Sequence, residues 1–138
     1  ASIQPQHAMD DRDVITRFWG NPAGVPYAFN ALHEAGTKLL MGSDAPVAPL
    51  DPWLAISAAV FGTESSDREP FQPEQCLDFE HALASSIAQG RTDLRVGDNA
   101  DLVLLDRDPS IIDEPESMQA MPEHIVGTML SGRWTYQR

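Results

Sequence analysis

The stretch that decides the fold reads LLMGSDAPVAPLDPW and covers residues 39–53. Its apolar opening, LLM, predicts a short strand buried on both faces, as the strands of parallel sheets usually are. The glycine and serine that follow let the backbone turn, so that Asp44 emerges at the carboxyl end of this strand. Ligands bind at that end of the strands in barrels and open α/β sheets. Asp44 is therefore a candidate metal ligand or proton acceptor, and the alternative is an aspartate that only caps the turn through its own backbone.

Strand and helix signals alternate on both sides of this stretch. Residues 1–5 read as a short strand that ends at its proline, because proline removes a donor from the ladder. A longer helix is expected over residues 72–90, beginning at its proline and following glutamate. Apolar spacing and capping residues predict further helices over residues 9–20, 27–36 and 51–62. This alternation predicts a parallel α/β unit over residues 1–90.

The pattern becomes mostly β after the first 90 residues. Residues 102–105 form an apolar strand pattern, and residues 124–138 predict two strands joined by a hairpin turn at Ser131-Gly132. We therefore treat residues 91–138 as a separate, mostly β part of the chain.

Composition and charge limit the possible partners. The chain has 138 residues, enough for one domain with a single core. It carries 9 Lys and Arg against 21 Asp and Glu, and this formal charge of −12 disfavours nucleic acid and anionic membranes. A divalent cation or a neutral or cationic small molecule suits such a charge better. The single cysteine, Cys76, fits a reducing cytoplasm, where we expect the protein to be. Because the chain opens with ASIQPQH and lacks an initiator methionine, we expect it to be cut from something longer.

The histidines form no self-contained metal motif. His7 follows the first strand, and if the two early strands run parallel it lies on the same rim as Asp44; the alternative is a surface loop histidine. The other histidines fall in predicted helices or at the start of a late strand, where packing or solvation is usual: His33, His81 and His124. The spacings H-x-H, H-E-x-x-H and C-x-x-C are absent, as are the serine-hydrolase elbow and the phosphate-binding glycine loops.

Trp53 opens the helix that follows the Asp44 turn. A tryptophan at this position either lines a pocket wall or packs in the core, which is the commoner fate of such a residue. We retain Trp53 as a candidate substrate contact.

Four segments occur here in the same order as similar segments in the C-terminal part of a known family of enzymes: SIQPQHAMDDRD, GSDAPVAPLDPWLAI, PEQCLDFEHAL and VGDNADLVLLDRDP. From residue 2 to about residue 134 the chain resembles the C-terminal part of metal-dependent hydrolases of the amidohydrolase superfamily. The subgroup that it resembles most is that of the N-substituted formamide deformylases.

The resemblance implies an α/β fold, the C-terminal fragment of a (β/α)8 TIM-like barrel plus strands of a small β-sandwich. Residues 1–90 would form the last two strands and helices of the barrel, with SIQP as its seventh strand and LLMGSD as its eighth. Residues 91–138 would form the C-terminal part of the sandwich. A complete barrel needs about 250 residues, so this chain holds only a portion of one.

The resemblance also implies a reaction, the hydrolysis of a C–N bond in an amide or formamide by metal-activated water. In this family the aspartate that ends the eighth strand binds the divalent metal, which we expect to be zinc, and shuttles the proton of the attacking water. Asp44 is the match. His7 matches a histidine after the seventh strand, which is not the usual source of metal ligands, so we expect it to contact the substrate or to support a residue that does. Trp53 is the other expected substrate contact, on the ground of its position after the turn.

The other metal ligands of the family, on the first, fourth, fifth and sixth strands, are missing from this chain. We therefore expect the chain alone to be inactive, and its partner to be the remainder of the same protein or a second copy in a homodimer. Two alternatives stay open: a non-catalytic assembly or regulatory domain derived from this fold, and a different α/β enzyme in which Asp44 is only a turn residue.

Overall fold

The computed structural model describes residues 1–20, 24–88 and 90–138. The helices and strands follow in the order β1 (Ser2–Ile3), α1 (Pro5–Phe18), α2 (Phe29–Glu34), β2 (Leu40–Met41), α3 (Pro52–Phe61), α4 (Phe79–Ser86), β3 (Leu102–Leu105), α5 (Pro115–Gln119), β4 (Ile125–Leu130) and β5 (Arg133–Gln137). Short 3₁₀ turns occupy Pro73–Gln75, Pro109–Ile111 and Met121–His124. The fold is mixed α/β, as predicted. None of the described helices is long and apolar enough to span a membrane.

Strands β1 and β2 form a two-stranded parallel sheet. Ser2 pairs with Leu40 and Ile3 pairs with Met41. The backbone N–H of Gly42 donates to the carbonyl of Ile3 at 3.0 Å and continues the ladder past the end of β2. Because the strands are parallel, their carboxyl ends lie at the same edge of the sheet.

Only one face of this sheet is covered by the described residues. Ile3 and Leu39 are 6% and 5% exposed and belong to a core shared with helices α1, α3 and α4. Leu40, in contrast, is 43% exposed. The prediction that the LLM strand is buried on both faces is therefore wrong for this chain. The physical reason is that the helices of these residues pack on one side of the sheet, while alternation turns Leu40 to the other side.

Helix α3 follows its capping signals closely. The side chain of Asp51 accepts a hydrogen bond from the backbone N–H of Trp53 at 2.9 Å, and Pro52 occupies the first helical position. The helix ends at Gly62, whose φ of +62° is the left-handed conformation that glycine adopts at helix ends. Helix α3 thus begins eight residues after Asp44 and fixes the far end of that loop.

The single helix predicted over residues 72–90 is wrong in its first half. A 3₁₀ turn at Pro73–Gln75 is followed by extended backbone, and α4 begins only after Asp78. The carboxylate of Asp78 caps α4 by accepting a backbone N–H of its first turn at 2.8 Å. The N–H of Leu77 bonds instead to the carbonyl of Ala59 on α3, at 2.8 Å. Helix α4 starts late because these two partners replace the bonds of a continuous helix.

The later strands form a three-stranded antiparallel sheet in the order β3-β4-β5. Ser131 and Gly132 join β4 to β5, and both have positive φ, which confirms the predicted hairpin. Helix α5 does not stay with this sheet, because its Pro115 carbonyl accepts the hydroxyl of Ser57 on α3 at 3.2 Å. The proposed division of the chain at residue 90 stays a prediction.

Candidate active site

Asp44 lies in the turn that follows β2, at the edge where the two parallel strands end. Its side chain is exposed, and its φ is +54°. The turn closes through the backbone, because the N–H of Val47 donates to the carbonyl of Asp44 at 2.9 Å. No described residue donates a hydrogen bond to the carboxylate of Asp44. The side chain therefore does not cap the turn, and no residue in the described part of the chain occupies either of its oxygens.

The backbone of Asp44 is in a conformation that L-residues adopt at a cost. The left-handed region disfavours residues with a Cβ by about 1 kcal/mol, although aspartate and asparagine tolerate it better than most. Glycine would take the same conformation without that penalty. The turn itself makes no use of this carboxylate. The role of Asp44 as a metal ligand stays a prediction.

His7 lies in the first turn of α1, directly after β1. Its backbone N–H donates to the carbonyl of Gln4 at 3.1 Å, and its ring is partly buried. It is therefore not a surface loop histidine. Its Nε2 atom is buried and has no hydrogen-bond partner among the described residues. A buried polar atom without a partner is unfavourable, so a position for a hydrogen bond or a ligand is left open here. Substrate contact by His7 stays a prediction.

Trp53 lies in the hydrophobic core with 7% of its surface exposed. Of the two positions that the sequence left open, a pocket wall or the core, the structure therefore shows the core. Burial of a large aromatic ring among apolar side chains is stabilising. Trp53 is not among the residues that line the cavity beside the turn. Its predicted contact with a substrate is therefore unsupported by the packing and stays a prediction.

A small cavity of about 160 Å³ adjoins the carboxyl end of β2. Its walls include Gly42 and Ser43 of the turn, the N-cap Asp51 and, from the last turn of α4, Ser86. The cavity is thus walled by the turn that carries Asp44, the start of α3 and the end of α4. It offers hydroxyl and carboxylate groups next to the candidate site.

The described residues do not make a metal centre by themselves. No three His, Cys, Asp or Glu side chains among them lie in a group that could hold a metal ion. A catalytic zinc takes about three protein ligands and one open position, and Asp44 supplies at most one of them. The donor groups of the described residues therefore do not fit the predicted divalent metal without further ligands.

A second group of titratable side chains lies near the amino end of β2, away from the Asp44 edge. The rings of His33 and His81 have centroids 4.0 Å apart, beside a groove of about 460 Å³ that includes Lys38. The backbone N–H of His81 and, less strongly, its ring hold the pKa of Asp78 below its usual range. Both histidines lie in helices, as predicted, and they do not join Asp44.

The sequence reasoning missed a polar pair on the open face of the parallel sheet. The amide Nε2 of Gln4 donates to the hydroxyl of Ser2 at 3.0 Å. The alternation of Ser2 and Gln4 around the buried Ile3 was the signal that could have revealed it, because alternate residues of a strand share a face.

Comparison with known proteins supplies the family. The sequence model of the amidohydrolase family matches residues 1–136. Protein LONG AFTER FAR-RED 3 from Arabidopsis thaliana is 32% identical over 116 residues, which cover 76% of this chain and 20% of that protein. Putative amidohydrolase YtcJ from Bacillus subtilis (strain 168) is 27% identical in an alignment 148 positions long, which covers 99% of this chain and 27% of that protein. The chain thus spans about a fifth to about a quarter of the curated relatives that it matches. No solved structure matches it.

The family match confirms the amidohydrolase superfamily that the four sequence segments indicated. The finer resemblance to the formamide deformylases stays a prediction. It covers both the α/β part and the mostly β part of the chain. This chain belongs to the amidohydrolase family.

Proposed function

We propose that this chain is a portion of a metal-dependent hydrolase that cleaves C–N bonds in amides or formamides. Membership of the amidohydrolase family supports hydrolysis of this kind. The observation that carries the proposal within the chain is Asp44, an exposed carboxylate without a hydrogen-bond partner among the described residues, at the carboxyl edge of a parallel sheet. Catalytic groups of α/β barrels stand at this edge, where the loops after the strands meet.

The chemistry assigned to this chain is proton transfer by Asp44. An unengaged carboxylate can accept the proton of an attacking water and pass it to the departing nitrogen. General base catalysis of this type contributes about 10²–10⁴-fold to a rate. His7, whose buried Nε2 has no partner among the described residues, is the proposed second contact to the substrate.

The proposal includes a divalent metal, with zinc as the first candidate, for which the described residues provide no complete ligand set. The remaining ligands would come from the rest of the same protein or from a second copy in a homodimer. The isolated chain is accordingly proposed to be inactive, and the cytoplasm is the proposed location. A barrel of which β1 and β2 are the last two strands is the proposed architecture.

A second candidate is a non-catalytic assembly or regulatory domain. It is favoured by the lack of a complete metal ligand set among the described residues. Under this proposal the chain has the fold of the family but catalyses no reaction, and the protein would function without the Asp44 carboxylate.

The complete protein, as its gene encodes it, separates these candidates. Its intact mass and its metal content by elemental analysis come first, followed by assays on a panel of amides and formamides. A mass well above 15.1 kDa with about one metal or more per chain is the result expected of the hydrolase. A 15.1 kDa protein without metal or amidase activity would favour the non-catalytic domain.

The variant Asp44→Asn then tests the assigned residue. Because this side chain is exposed and makes no hydrogen bond to a described residue, we expect the unfolding free energy to change by less than about 0.5 kcal/mol. Hydrolysis should fall at least about 100-fold. Asp113→Asn is the matched control, because Asp113 is also an exposed carboxylate without a described hydrogen bond, and it should keep full activity. Full activity in Asp44→Asn would contradict the assignment.

A further inference from the structure

The open face of the parallel sheet carries a polar pair that no core requirement explains. Ser2 and Leu40 are exposed and paired across the two strands, whereas Ile3 between Ser2 and Gln4 is buried against the helices. Gln4 turns to the same open face as Ser2, since its Nε2 donates to the Ser2 hydroxyl at 3.0 Å. The pair therefore lies on the side of the sheet opposite the helices.

Gln4 also has no capping role in the helix that it precedes. It occupies the N-cap position of α1, yet its side chain makes no hydrogen bond to the helix. Residues that cap helices well at this position are serine, threonine, aspartate and asparagine. The Oε1 atom of Gln4 accepts no hydrogen bond from any described residue. The Ser2 bond thus fixes one end of the amide and leaves the oxygen available.

The register of the sheet sets Gln4 near the candidate catalytic residue. Ile3 pairs with Met41, and continuing this register by one residue sets Gln4 beside Gly42. Neighbouring strands lie about 4.8 Å apart. Gly42 precedes Asp44 by two residues, so Gln4 and Asp44 share the carboxyl edge of the sheet.

We propose that Gln4 is a specificity residue whose Oε1 accepts a hydrogen bond from the N–H of an amide substrate bound beside Asp44. This inference rests on the proposed amide hydrolysis and names its substrate class. Nε2 already donates to Ser2, so Oε1 is the amide atom of Gln4 without any described partner, and an acceptor at this position matches an amide N–H. Amides with at least one N–H are favoured, and N,N-disubstituted amides and esters offer no donor at this point.

The test is a substrate pair on the complete protein. One substrate is an N-aryl formamide, and the other is the same molecule with its nitrogen methylated. Gln4→Met keeps the length of the side chain and removes the acceptor, so we expect kcat/KM to fall about 10-fold on the N–H substrate. On the N-methyl substrate we expect less than about a 2-fold change, because the lost acceptor had no donor to meet there. Gln4→Glu keeps an acceptor oxygen and should keep the preference for N–H.

The outcomes separate this inference from the function on which it rests. If the native protein hydrolyses the formamides and Gln4→Met loses equally on both substrates, Gln4 has only a structural role and the inference is overturned. If the native protein hydrolyses neither these nor other amides, the proposed function itself fails. Should Gln4→Met not fold, Ser2→Ala removes the bond that orients Gln4, and a loss confined to the N–H substrate is again expected.

Discussion

Gly62 closes helix α3 at a point where a side chain has no room. Its φ is +62°, its N–H donates to the carbonyl of Ala58 at 3.0 Å, and its carbonyl accepts the N–H of Phe71 at 2.7 Å. A Cβ placed on Gly62 would lie 2.8 Å from Sγ of Cys76 and 3.0 Å from the carbonyl oxygen of Phe71. The change Gly62→Ala therefore meets both a backbone constraint and a steric one.

Two contributions add up in this variant. An alanine in the left-handed region costs about 1 kcal/mol relative to glycine. The added methyl must also displace Cys76 or the backbone of Phe71, and overpacking of a filled site costs about 1–3 kcal/mol. We expect Gly62→Ala to lower the free energy of unfolding by about 2–4 kcal/mol, the sum of these two contributions.

Urea unfolding of the complete protein, followed by circular dichroism, measures this loss. Gly36→Ala is the matched control, because Gly36 follows α2 with a φ of +77°, and a Cβ added there would meet no described atom within 4 Å. It should lose only the backbone contribution of about 1 kcal/mol. Equal losses in the two variants would refute the steric argument. Adding Cys76→Ala to Gly62→Ala should recover part of the loss if the thiol is the obstacle.

Two further predictions concern a cap and a carboxylate. Asp51→Ala removes the bond to the N–H of Trp53 and should cost about 1 kcal/mol in urea unfolding, whereas Asp51→Asn should keep most of it; equal losses would exclude the capping bond. The Ser66 hydroxyl and N–H, at 2.6 and 2.7 Å, lower the pKa of Glu116 to about 2. Because the folded pKa is depressed, the stability from this contact is present above about pH 4.5 and is lost as the pH falls towards 2. The unfolding free energy of Glu116→Gln should depend less on pH in this window, and an unchanged dependence would contradict the contact.

The elements that the sequence predicted well are those set by neighbours in the chain. The start of α3 follows from the Asp51 carboxylate and the fixed φ of Pro52, and its end follows from Gly62. The hairpin at Ser131-Gly132 follows from a turn dipeptide whose glycine tolerates positive φ. Each of these signals acts over a few neighbouring residues, so a single sequence contains it entirely.

The elements that the sequence missed depend on distant partners. Leu77 leaves the helical pattern because its N–H finds the carbonyl of Ala59, which lies on another helix earlier in the chain. Leu40 is exposed because the described helices pack on the opposite face of the two-stranded sheet. The apolar character of the strand does not tell which face the helices cover. The site shows the same division. The turn at Asp44 could be predicted, but its lack of hydrogen-bond partners among the described residues and the open oxygen of Gln4 emerge only when the strands are paired.

Asp44 and Gln4 share a property that distinguishes them from the capping residues of the chain. Asp51 and Asp78 each return a hydrogen bond to the helix that they precede, so their presence is explained by stability. Asp44 has a disfavoured backbone conformation, and its side chain makes no hydrogen bond to a described residue. Gln4 occupies the N-cap position of α1, but its side chain does not cap the helix. Residues that depart from the local rules of turns and helix caps are expected to cluster at functional sites, where chemistry takes precedence over local stability. That both lie at the carboxyl edge of one parallel sheet is the strongest argument for placing the chemistry there.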